Sequence, residues 1–393
     1  MTRVVELALF HVQIPLRKVV RHASFVRESS DNLVVRTRLQ NGLVGYGEGV
    51  PRTYVTGESI DEAIDILVRS DIASQLSTAA DLASAVEMVR NLVLWQPRPD
   101  PRGCYGNSAR CALELSLLDA WARHFSEPLS RVTELVPETT PIRQAVDRVR
   151  YSGAITADSP RKELWSAVKM RLYGFGDCKV KVGVEGQDDH HRLRRIRRIL
   201  GRRVRVRIDA NEAWKPQELV ERLCALEPSG IASLEQPVPH EQVEALAEVR
   251  RQIHVPIMHD ESLCSLLDAQ TAIEHATCDL FNIRLSKCGG FVNSLLIASL
   301  AHANGIGYQL GCQVGETGVL SAAGRHFASS VAGIRFLEGS YDRHLVTERL
   351  TREDLTFGYG GYAPALVGCG LGVTMDEEAL SRVTRREERI HIA

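Results

Sequence analysis

Lys179-Val180-Lys181, Ile208-Asp209-Ala210-Asn211, Leu234-Glu235-Gln236-Pro237, His259-Asp260-Glu261-Ser262 and Leu285-Ser286-Lys287-Cys288-Gly289-Gly290 divide residues 179–290 into near-equal lengths. Lys181, Asp209, Glu235, Asp260 and Lys287 follow one another at 28, 26, 25 and 27 residues. One strand, one helix and two short loops consume about that much chain. Parallel strands closed into a barrel deliver the residues at their C-terminal ends to a single mouth. The spacing therefore predicts that three carboxylates meet there, with Lys181 and Lys287 on either side. That arrangement suits a divalent cation flanked by two acid/base groups.

Working outward, the same βα texture runs from about residue 142. Short apolar runs at 149–154, 178–182, 204–208, 231–234, 257–259, 280–283, 307–310 and 333–337 read as eight strands. Helical stretches at 159–173, 188–200, 216–226, 240–252 and 291–304 separate them, which implies a closed parallel barrel rather than an open sheet. The first part is different. Segments 4–14 and 32–39 have strand composition, and Gln40-Asn41-Gly42 supplies a turn before Leu43-Val44-Gly45-Tyr46-Gly47-Glu48. Helices are expected at 59–69, 80–94 and 108–125, the last apolar on most faces and so buried. Residues 17–31 are polar and lack a period, and read as an excursion loop. Beyond residue 345 the chain becomes rich in glycine and proline and is expected to return to the first module. The expected domains are 1–130, 140–345 and 346–393.

Composition limits the partners. The 393 residues carry 48 basic and 49 acidic side chains, a formal charge of −1, so no electrostatic footprint points to nucleic acid or an anionic membrane. The arginines at 192, 194, 195, 197, 198, 202 and 203 read as a solvated helix face with its exit loop. No apolar run approaches the ~20 residues of a membrane span, and Met1-Thr2-Arg3-Val4-Val5-Glu6 lacks the pattern of a signal peptide. Nine scattered cysteines without CxxC spacing suit reduced thiols in a cytoplasmic protein.

Asp209, Glu235 and Asp260 are hard oxygen donors, which favour Mg2+, with Mn2+ as a substitute, over zinc. Any one of them alone would be an ordinary loop acid; matched spacing after three apolar strands sets them apart. Glu261 and Asn211 read as supporting neighbours of the ligands. Lysine near a divalent cation and a second ammonium has its charged form disfavoured, so the pKa values of Lys181 and Lys287 are expected to fall. The neutral amine is then a base for a proton alpha to a carboxylate, and the metal would stabilise the enediolate. Lys179 shares a strand face with Lys181, where it would hold down the charge of Lys181 and touch the substrate carboxylate.

Taken together, Lys179-Val180-Lys181, Asp209-Ala210-Asn211, Glu235-Gln236-Pro237, Asp260-Glu261-Ser262 and Lys287-Cys288-Gly289-Gly290 resemble the enolase superfamily, and within it the muconate-lactonizing-enzyme subgroup. Gly45-Tyr46-Gly47-Glu48-Gly49 resembles the capping-domain pattern of that family. The resemblance implies an α/β barrel, a modified TIM barrel of (β/α)7β type, with an α+β N-terminal capping domain completed by the C-terminal segment. It implies Mg2+ on Asp209, Glu235 and Asp260, and Lys181 and Lys287 on opposite faces of a small-molecule carboxylate substrate. A homo-oligomer is expected.

Members of the subgroup cycloisomerise, eliminate water to give o-succinylbenzoate, or epimerise dipeptides and N-acyl amino acids. Two lysines suit racemisation or epimerisation of an N-acyl amino acid or dipeptide; a cycloisomerase or o-succinylbenzoate synthase is the alternative. A non-catalytic barrel that only binds is the rival from another class, and the two lysines and three acids speak against it. Specificity is expected from the cap segment 17–28, with Arg21 or His22 as the substrate contact, and from the eighth strand. There, dipeptide epimerases of the subgroup hold the substrate ammonium with Asp-x-Asp, whereas this chain has Glu338-Gly339-Ser340, so Glu338 is the one acid left for that contact. The seventh-strand exit lacks the histidine of the acid-sugar dehydratases; Gln313 and Glu316 are candidates to line the pocket or to shape a helix entry.

Overall fold

Every second residue of Gly45-Tyr46-Gly47-Glu48-Gly49 lacks a side chain, and the structure gives the reason. In the computed structural model, which describes residues 2–21, 26–156 and 159–392, the long helix Asn107–His124 lies directly on this strand. A Cβ on Gly45, Gly47 or Gly49 would stand 2.2 Å from Ala120 N, 2.0 Å from Ala112 O and 2.0 Å from Ser108 O. Backbone meets backbone there, so no side chain fits. As expected from its composition the helix is buried nearly all round, Trp121 included.

The strand Val44–Gly49 is the edge of a four-stranded antiparallel sheet with Val26–Leu39, Val4–Arg21 and the C-terminal Thr384–His391, in that order. The C-terminal segment thus completes the cap. Asp119 in the long helix adds to the join, accepting the backbone N–H of Tyr46 at 2.9 Å and of Leu371 at 2.7 Å. Helices Ile60–Arg69 and Leu82–Arg90 begin at capping boxes made by Ser59 with Glu62 and Asp81 with Ser84.

The expectation of a loop over 17–31 is overturned. The first two strands run on past the body of the sheet as a paired ribbon, Pro15 opposite Ser29, Val20 opposite Arg27 and Arg21 opposite Val26. Arg17, Lys18 and Val19 of the first strand are exposed in succession, so that stretch lacks the buried/exposed alternation by which a strand is read.

Eight parallel strands follow one another in chain order: Gly153–Ile155, Asp177–Lys181, Arg205–Asp209, Ile231–Glu235, Ile257–His259, Leu280–Ile283, Gly307–Leu310 and Ile334–Leu337. The N–H of Ser152 donates to Leu337 O at 2.8 Å, bringing the first strand against the eighth. Seven helical connections lie between them, giving the (β/α)7β frame. The predicted strand 149–154 is split: Arg148–Arg150 pairs antiparallel with Tyr362–Pro364, and only the part from Gly153 enters the barrel.

Candidate active site

The strand Asp177–Lys181 alternates in burial: Cys178 and Val180 pack outward under the helices, which turns Lys179 and Lys181 into the barrel. Register then lines up the mouth, with Lys181 opposite Asp209, and Asp209 opposite Glu235. Asp260 follows one strand on, and its backbone is set by Gln236, whose Oε1 accepts from the N–H of Asp260 at 2.9 Å and of Ser262 at 3.2 Å. Gln236 itself holds a left-handed φ of 36°, a backbone position that costs energy outside glycine. Asn211, also left-handed, contributes its N–H to Asp209 Oδ1 at 3.0 Å. Asp209, Glu235 and Asp260 are buried at 1%, 0% and 0% exposure.

Side-chain cations lie between these acids. Lys179 Nζ is 3.5 Å from Asp209, 3.2 Å from Glu235 and 3.0 Å from Glu338. Arg284 is paired with Asp260 and stands 3.5 Å from Glu235. Lys287, fully buried, donates to Asp260 Oδ1 at 2.7 Å and also to the Asp260 carbonyl. Beneath them Arg207 stands 3.0 Å from Glu338 and 3.8 Å from Glu235, bonds Gln309 Oε1 and stacks on Phe336.

The charges respond to this crowding. Burial pushes Glu235 up to about 7; Lys179 opposes, while Asp209, Glu338 and Asp260 add to the rise. Burial would also raise Asp260, but Arg284 and Lys287 outweigh it and hold the carboxyl below its ordinary range. Glu338 is drawn down to about 2 against its burial by Lys179 and Arg207. Burial works against the Lys287 ammonium, yet Asp260 beside it leaves that pKa raised. Lys179 is likewise raised, by Glu235, Glu338 and Asp209 in spite of burial, and its ammonium is committed to those three acids.

Three buried carboxylates at successive strand ends, with Lys179, Arg284 and Lys287 lodged among them, form a cradle of hard oxygens. The donor set fits a divalent cation such as Mg2+. Their ligand atoms stand wider than a closed cluster: among the described residues, only Asp188, His190 and His191 on the surface bring three such atoms within 4.8 Å of one another. Lys179 and Arg284 each stand between two of the acids.

Of the other predicted residues, Glu261 is buried beside Asp260 with its carbonyl accepting from Arg102 at 2.9 Å, and burial raises its carboxyl well above the usual range. Gln313 is buried, its N–H donating to Glu316 at 2.6 Å, and Glu316 lines a small cavity with Glu338, Ser340 and Tyr151. Arg21 closes the first strand of the cap ribbon; His22 lies outside the described residues. The sequence reading missed Arg207, Arg284, Asn282 and Gln309. Asn282 donates to Glu235 Oε1 at 2.9 Å. Strand period was the available signal for Arg207, two residues before Asp209 on the same face.

Residues 163–379 match the family model described as enolase C-terminal domain-like. The chain is 30% identical to the D-Ala-D/L-Ala epimerase of Cytophaga hutchinsonii over 78% of its own length and 79% of that protein. It is 28% identical to muconate cycloisomerase 1 of Rhodococcus opacus over 95% and 96%. The crystal structure of a dipeptide epimerase from Cytophaga hutchinsonii, complexed with Mg and the dipeptide D-Ala-L-Val, superposes with a TM-score of 0.82 at 26% identity, covering 99% of this chain and 100% of that one.

Proposed function

This chain belongs to the enolase C-terminal domain-like family, and we propose from that premise that it is a Mg2+-dependent isomerase. The reaction is removal and return of the proton alpha to a carboxylate, and the substrate class is N-acyl amino acids or dipeptides. One observation carries the reading: Lys181 and Lys287 stand at the two ends of one arc of carboxylates, Lys181 in register with Asp209 and Lys287 bonded to Asp260. Asp209, Glu235 and Asp260 would hold the ion. When bound, it supplies positive charge for the negative charge that develops on the substrate carboxylate. One lysine takes the proton from one face of the alpha carbon, and the other delivers a proton to the opposite face. Lys179 and Arg207 keep Glu338 ionised and fixed beneath. Nine free cysteines support a reducing, cytoplasmic setting; no helix among the described residues is long and apolar enough to cross a membrane.

The end of the eighth strand favours N-acyl substrates over free dipeptides. Both oxygens of Glu338 are within 3.0 Å of a cation, Lys179 or Arg207. The Ser340 hydroxyl is turned to Tyr151 at 2.9 Å and Arg325 at 3.0 Å. An ammonium arriving there would have to compete with Lys179 and Arg207 for Glu338. The same observation keeps cycloisomerisation as the second reading, because that substrate has no ammonium either. Incubation with Mg2+ in D2O, with N-acyl amino acids, dipeptides and muconate in parallel, tests both. Alpha-deuterium in an N-acyl amino acid supports the first reading; lactone from muconate with no exchange elsewhere replaces it with the second.

A further inference from the structure

We propose that Asn107, in the cap, positions Lys287, so that the cap sets one of the two bases while the barrel sets the other; this rests on the two-base reading above. Asn107 opens the helix Asn107–His124 and is 7% exposed. Its Nδ2 donates to the carbonyl of Lys287 at 2.9 Å and to that of Cys264 at 2.6 Å. Both partners are acceptors, which fixes the orientation of the amide, because only its NH2 end can face two carbonyls.

The rest of the Lys287 loop is moulded to the same cap surface. The N–H of Val50 donates to Ser286 Oγ at 2.8 Å, and the N–H of Val292 donates to Glu114 Oε1 at 2.9 Å. Gly289 and Gly290 have φ of 82° and 110°. A Cβ on them would stand 2.8 Å from Asn107 Oδ1 and 2.5 Å from Glu114 Oε1. Lys287 is thus held at two places, its ammonium by Asp260 and its backbone by the cap. Lys181 is braced differently. Its carbonyl accepts from Arg192 at 3.1 Å, an arginine of the barrel helix Asp189–Leu200 that is ion-paired with Glu163 of the preceding helix Pro160–Leu172.

Removing the Asn107 amide leaves two buried carbonyls short of a donor and frees the backbone that carries one base. Proton transfer is sensitive to displacements of about 1 Å, so the loss falls on the face that Lys287 serves. A residue that only holds the fold together would slow both faces alike.

The test follows alpha-proton exchange in D2O by NMR, with each substrate enantiomer offered separately. Lys287→Ala first identifies the enantiomer that depends on Lys287. Asn107→Ala is then expected to slow that enantiomer about tenfold to a hundredfold and the other by less than about twofold. Equal slowing of both enantiomers, or of neither, overturns the proposal. If Asn107→Ala does not fold, Ser286→Ala takes its place, since it removes the contact between the same loop and Val50. Selective slowing of the Lys287-dependent enantiomer then supports the proposal, and equal slowing of both, or of neither, overturns it. A wild-type protein that exchanges neither enantiomer of any substrate overturns the two-base reading itself, and this is seen before any Asn107 variant is made.

Discussion

Lys287 donates its ammonium to Oδ1 of Asp260 at 2.7 Å, so a candidate base and a candidate metal ligand form one buried ion pair. On the other side of the mouth Lys181 pairs in register with Asp209. The two lysines address the same cradle from opposite ends.

Lys181→Ala and Lys287→Ala are each expected to lower racemisation by about 10²–10⁴-fold. Each should leave exchange measurable for one enantiomer only, a different one in each variant. Loss of exchange from both enantiomers in both variants would instead indicate one base with a cationic companion, as in an elimination or cycloisomerisation.

Asp209→Asn, Glu235→Gln and Asp260→Asn each remove one negative charge from the cradle. Calorimetric titration with Mg2+ should show weakened binding in all three, and turnover should fall by about a hundredfold or more. Wild-type activity lost on EDTA treatment should return with Mg2+. A variant pair that keeps full activity in EDTA would refute the metal assignment.

Arg284 sits between Asp260 and Glu235 and offsets their charge. Arg284→Met leaves buried carboxylates without that partner, which destabilises the protein. Without added metal, its Tm should fall below that of the wild type. Added Mg2+ should then raise the Tm of the variant by more than it raises the wild type, because at one concentration a ligand that binds the folded state more tightly stabilises it more. An equal rise in both proteins would show that Arg284 and the ion do not share these acids.

The barrel was legible in the sequence because its strands are short and the second to the fourth end at Lys181, Asp209 and Glu235 on a regular spacing; Asp209, Glu235 and Asp260 stand where that spacing put them. The cap ribbon was not, since Arg17, Lys18 and Val19 are exposed in succession and carry no alternation. Thr384–His391 escaped for a related reason, being a mostly charged edge strand of the kind that sheets use to protect their margins. Arg207 and Arg284 were missed because a buried arginine is rare and is accounted for only by the acids that fold around it. Which atoms those are depends on barrel closure, not on neighbours in the chain.

Gly47→Ala tests the joint between the cap strand and its helix. The added methyl would meet Ala112 O at 2.0 Å and Ser116 N at 2.5 Å, and backbone of a buried helix cannot yield as a side chain can. A loss of ~3 kcal/mol in unfolding free energy by denaturant titration is expected. A loss near zero would mean that the strand and helix can separate at no cost.

Glu58 gives the pH dependence. Its Oε1 accepts from the N–H of Ser108 at 2.8 Å and the hydroxyl at 2.5 Å, at the start of the helix Asn107–His124. Burial raises its carboxyl from 4.5 to about 7, against the Ser108 hydrogen bonds that lower it. A folded-state pKa above the unfolded value means the folded protein binds the proton more tightly. The stability that comes from this group is therefore fully present below the unfolded pKa and is lost as pH rises through about 7. Glu48 and Glu114, also buried and raised to about 7, act in the same direction. Glu58→Gln cannot ionise, so the fall in unfolding free energy between about pH 5 and about pH 8 should be smaller in the variant than in the wild type. A variant whose profile runs parallel to the wild type over that range would show that Glu58 does not change its protonation on folding.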